Sequence, residues 1–162
     1  MRRMFLLLAT LAGYTMGALT PPAVAAQTCP SVADQSAYEV LALRQLMTVL
    51  VVKCKRETEY NINFVKRFQP ALQANDRAVL AYFRRVYGGA GQGRMDTFMT
   101  ELVNVMSQQA NAQGTEFCAR AGLVINEMNA LRSMDELPPY AAVKDTSPPG
   151  TSMCPVVAPR RK

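Results

Sequence analysis

Apolar residues recur every three or four positions through most of this chain, the period of a helix buried along one face, and no segment alternates in twos as a strand would. The first run covers residues 33–54. Val40, Leu43, Met47, Leu50 and Cys54 mark one face, and Leu46, Val49, Val51 and Val52 widen it until only Thr48 and Lys53 interrupt. A helix with so broad an apolar surface is expected to be buried on most sides. The β-branched TVLVV suits a strand, yet it has no partner to pair with. As a membrane span it fails on length: Leu46 to Val52 is seven residues, and a span needs ~20.

Four further runs follow. Residues 57–72 place Ile62, Val65, Phe68 and Leu72 on one face with Phe64 beside it; Pro70 predicts a kink or break near Phe68, since proline in a helix interior costs ~3 kcal/mol. Asn75-Asp76 can cap a new helix over 77–87, with Val79, Leu80, Phe83, Val86 and Tyr87 inward. GGAGQG (88–93) reads as a flexible connector, because it follows a helix and Arg94 stands where a phosphate loop needs Lys-Ser/Thr. Residues 95–113 carry Met95, Phe98, Met99, Leu102, Val103 and Met106 on one stripe, closed by Gly114. Thr115 is a candidate N-cap for a helix over 116–132, whose inner face is Phe117, Ala121, Val124, Ile125, Met128 and Leu131. Ser133 to Glu136 fits a capping box for one last short turn, stopped by Pro138-Pro139.

The pattern changes at both ends. Arg2 and Arg3 precede an uncharged run, Met4 to Leu19, broken by Pro21-Pro22 and followed by small residues up to Ala26. That order predicts a cleaved signal peptide over 1–26, short of a membrane anchor. From Pro138 onward, six of the ten prolines fall in the last 25 residues without periodicity. The expected organisation is therefore a leader (1–26), a helical body (27–137) and a Pro-rich tail (138–162) tethered through Cys154. The fold class is all-α: a small disulfide-stapled bundle of four to five helices with irregular ends, in a periplasmic or secreted protein with no transmembrane segment in the mature chain.

Charge narrows the partners. Of 18 basic residues, Arg2 and Arg3 lie in the leader and Arg160, Arg161 and Lys162 end the chain, so 13 face 12 acidic residues between. A near-neutral body with a cationic end is not a nucleic-acid binder. Arg77, Arg84 and Arg85, interleaved with aromatics, and the terminal Arg160, Arg161 and Lys162 are the candidate contacts for an anionic surface. The same aromatics also read as core, bordered by basic side chains.

Cysteine and histidine counts restrict the chemistry. All four cysteines, Cys29, Cys54, Cys118 and Cys154, follow the leader and predict two disulfides. Pairing Cys54 with Cys118 joins two core helices across about 65 residues, worth ~4 kcal/mol in the chain-entropy model; Cys29 with Cys154 then clasps arm to tail. Cys29–Cys54 with Cys118–Cys154 competes. With no histidine there is no Ser-His or Cys-His pair, and scattered half-cystines argue against zinc. Glu57, Glu59, Asp76, Glu101 and Glu127 remain as carboxylates for a glycosidase-type pair, but their basic neighbours favour solvated faces and caps. The methionine stripe reads as core filling before a Cu(I) site. No cofactor or metal is expected.

ALRQLMTVLVVKC, then YNINFVKRFQPALQANDRAVLAYFRRVYG and a later Phe-Cys, resemble a group of small exported alphaproteobacterial proteins over residues 42–132. The resemblance implies a periplasmic setting and weight on Cys54 and Cys118, and carries no activity. The reading that remains is a non-enzymatic binding or accessory protein of the cell envelope, its partner an envelope protein or surface component. A carboxylate hydrolase of envelope polymer and tail-driven surface association are the alternatives.

Overall fold

The computed structural model describes residues 29–144, 146–149 and 151. The leader, Cys154 and the terminal Arg160, Arg161 and Lys162 lie outside the described residues. The fold is all-α, built on four long helices: α1 (Val32–Cys54), α3 (Arg67–Tyr87), α4 (Gly91–Gln113) and α5 (Thr115–Ala130). Two short helices, α2 (Glu57–Tyr60) and α6 (Leu137–Lys144), accompany them among the described residues.

Helix α1 is the central element, packed against α3, α4, α5 and α6. Ser31 and Asp34 close a capping box at its start, satisfying free N–H groups of the first turn. Leu41, Leu43, Met47 and Leu50 are almost wholly buried, as the broad stripe requires. Val52, counted in that stripe, is instead 72% exposed. The helix ends at Lys55, which takes a left-handed φ of 56° while Lys55 and Arg56 N–H both donate to the Val51 carbonyl.

The break expected at Pro70 is absent. Asn61–Lys66 forms a π-helical turn joining α2 to α3, and α3 runs unbroken through Pro70, Asn75 and Asp76. Proline lacks an N–H and crowds the carbonyl four residues back, here Lys66, the last residue of the wider turn. The distortion is thus placed one turn upstream of the proline. It also shifts the register: Phe64, not Ile62, joins Phe68 in the core, and Ile62 is 56% exposed. Asp76 does not cap; it pairs with Arg44 of α1 at 2.6 Å.

GGAGQG is largely structured. Gly88–Ala90 is a 3-10 turn and α4 begins at Gly91, which is buried against α3. From α4, Met95, Leu102 and Met106 fill the core, and Phe98 packs between Tyr38 and Phe83 at 5.8 and 5.5 Å. Gly114, at φ +59°, turns the chain into α5; Thr115 is already the first helical residue and not its cap. Pro138 and Pro139 do not stop a helix but sit in the first turn of α6, where a missing N–H costs nothing. Leu137 and Ala141 bury α6 against α1, so the Pro-rich tail starts as packed helix. The expected Ser133 side-chain cap is not made; the Glu136 carboxylate accepts from Arg132 N–H at 2.8 Å.

Cys54 and Cys118 form a disulfide across 64 residues, joining the end of α1 to the start of α5 and excluding the competing connectivity. Cys29 is also disulfide-bonded. At its other end α5 is capped by Arg67 of α3, whose guanidinium donates to the Met128, Asn129 and Leu131 carbonyls.

Candidate functional site

The sequence-predicted carboxylates are dispersed. Glu59 pairs with Arg56 and Asp76 with Arg44, both at 2.6 Å, while Glu127 holds Lys144 and accepts from the Tyr140 hydroxyl at 3.0 Å. Glu57 and Glu101 are exposed. Among the described residues no polar or charged residue is buried, and in none of four clefts do two of these carboxylates meet. The Lys144 ammonium holds the Glu127 carboxyl below its ordinary range, helped by the Tyr140 hydroxyl against some burial. A general acid needs the opposite shift.

Arg77 and Arg84 are exposed and make no ion pair among the described residues, seven positions apart on one face of α3. Arg85 is committed elsewhere: its guanidinium lies 2.6 Å from Asp34 and 5.4 Å from the Tyr82 ring, tying α3 to the capped start of α1. Arg85 foremost, and the Ser31 hydroxyl and N–H after burial is set against them, hold the Asp34 carboxyl below its usual range. The unfolded chain therefore binds this proton more readily, and the pair's contribution is full above the ordinary carboxylate pKa of ~3.9 and lost as pH falls through the lowered folded value. Urea titrations from pH 7 to 3 should show stability falling below about pH 4. Asp34→Asn should lower stability at pH 7 and flatten that fall; an unchanged acid slope in the variant would refute the assignment.

All four clefts touch α1, and two of them also reach α4. One lies between α1 and α4, about 320 Å³, where Val49, Val52 and Val103 flank Lys53, which donates to the Asn111 side-chain carbonyl. The other, about 480 Å³, opens between α1, α4 and α5 and is walled by segment 146–149. Leu50 and Phe117 are buried in its floor, and Leu46 and Val124 are half-buried beside them. Gln109, Gln113 and Arg120 stand exposed at its edge with Lys144 near by. Segment 146–149 is held against the body through Thr151, whose carbonyl and hydroxyl lie 2.5 and 2.7 Å from the Tyr38 hydroxyl. The Thr146 hydroxyl is buried without a hydrogen-bond partner.

Protein-family models, curated proteins and solved structures give no match to this chain. Its chemistry must be read from the clefts alone. Of the residues in the larger one, Leu50, Phe117 and Val124 were expected in the core; Arg120 and Thr146 carry no sequence signal, since Arg120 reads as half of a surface pair with Glu116 and Thr146 sits in an aperiodic stretch. Among the described residues no group of three metal-binding side chains comes together, and no helix is long and apolar enough to cross a membrane.

Proposed function

We propose that this chain is an exported, non-enzymatic binding protein of the bacterial cell envelope, acting in the periplasm on an envelope protein or surface component. The observation that carries the reading is an open, partly apolar cleft kept within a disulfide-stapled body whose best-placed carboxylates are already paired with cations. Disulfides persist in oxidising compartments, which agrees with the leader-like first 26 residues. Expressed with that leader, the protein should appear in the periplasmic fraction with its N-terminus near Gln27 and its thiols oxidised. In-cell photocrosslinking from the cleft edge should yield a defined adduct or a co-purifying envelope component. A leader-bearing, reduced chain in the cytoplasm overturns export; an exported chain that captures neither overturns the binding role.

The exposed Arg77 and Arg84, which make no ion pair among the described residues, favour a second reading, association with an anionic surface through α3. Co-sedimentation with anionic vesicles at low salt that survives Arg77→Gln with Arg84→Gln rejects it.

A further inference from the structure

We propose that the cleft between α1, α4 and α5 binds an alkyl chain with a carboxylate head, the chain on Leu46, Leu50, Phe117 and Val124 and the head at Arg120. The inference deepens the function proposed above by naming the ligand class, and it takes only its cellular setting from that reading.

Size, lining and charge agree. At about 480 Å³ the cleft falls in the ~300–1,000 Å³ range of small-molecule sites. Its floor is apolar side chain from α1 and α5, with Gln109, Gln113 and Arg120 exposed at the edge and Thr146 and Ser147 in the wall of segment 146–149. A peptide would lay N–H and C=O groups over that floor, where nothing satisfies them; an alkyl chain carries none. The lining contains two cations, Arg120 and Lys144, and no acidic residue among the described residues. Lys144 is engaged by Glu127 and the Tyr140 ring. Arg120 is the freer cation: its link to Glu116 is an exposed pair one turn apart at 3.2 Å, of a kind that contributes little. A guanidinium matches the two oxygens of a carboxylate.

The test titrates the oxidised mature chain with octanoate, decanoate and dodecanoate below their micellar concentrations, by calorimetry. One saturable site is expected, with affinity rising about threefold to fourfold per methylene. Arg120→Gln should weaken dodecanoate about tenfold, the scale of a charge-assisted hydrogen bond, and leave dodecanol unchanged. Val124→Glu, its fold verified by circular dichroism, should abolish binding. Absence of saturable binding at every chain length overturns the proposal. So does dodecanoate binding that ignores Val124→Glu, or that stays as tight in Arg120→Gln as in the parent chain. A failed titration beside intact export and adduct formation removes the amphiphile and keeps the envelope role; failed export beside a successful titration does the reverse.

Discussion

Replacing Cys54 and Cys118 together with alanine should lower the unfolding free energy by about 4 kcal/mol and the melting temperature by on the order of 15 °C. The size follows from loop length. The bridge closes 64 residues, more than the whole of α3 and α4, so its removal releases much conformational freedom in the unfolded chain. The effect in the folded state should be local. Most of the buried core comes from α1, α3, α4 and α6, to which α5 adds Phe117, Ile125 and Met128 among the described residues; α5 is fixed at one end by the disulfide and at the other by the Arg67 guanidinium on its last carbonyls. Losing the first clamp should raise amide exchange over Phe117 to Met128 well before it rises in α1. A change of under about 3 °C, or exchange rising equally in both helices, would show that the bridge decorates an already rigid contact.

How far the sequence reveals this fold depends on which signals are local. Helix α1 is legible because burial on three sides leaves almost no polar position, and Cys54 at its end points to Cys118 on the other disulfide-bearing core helix. Pro70 is misleading because the rule against interior proline assumes a regular α-turn before it; the π turn over Asn61–Lys66 removes that premise. Pro138-Pro139 mislead for a related reason, since the residues that end one helix are equally suited to the first turn of another. The cleft is harder still. Periodicity marks Leu46, Leu50, Phe117 and Val124 as inward-facing, but it cannot say whether the opposing element fills the space they face. Here a cleft remains between α1, α4 and α5, walled on one side by segment 146–149, which has no period to read.

Glycine gives the sharpest case, and Gly91→Ala is expected to destabilise the protein by ~2 kcal/mol. A connector reading treats the glycines of GGAGQG as interchangeable. In the structure a Cβ on Gly91 would lie 2.7 Å from both the Cα and the N of Arg84 and 2.9 Å from the carbonyl carbon of Phe83. All three are backbone atoms, so no rotamer change relieves the clash; α4 must move off α3, disturbing the Phe83–Phe98 contact beneath. Gly93, two residues on in the same helix, has nothing within 4 Å of its Cβ position. Gly93→Ala should therefore stabilise by ~0.5 kcal/mol through helix propensity and a less flexible unfolded chain. Chemical denaturation of the two variants side by side isolates packing from backbone freedom, because propensity favours alanine at both positions and only the contact with Arg84 differs. Equal gains at both sites would mean that α3 and α4 do not approach as closely as this corner requires, and α4 would then owe its start to the connector's flexibility, not to close packing at Gly91.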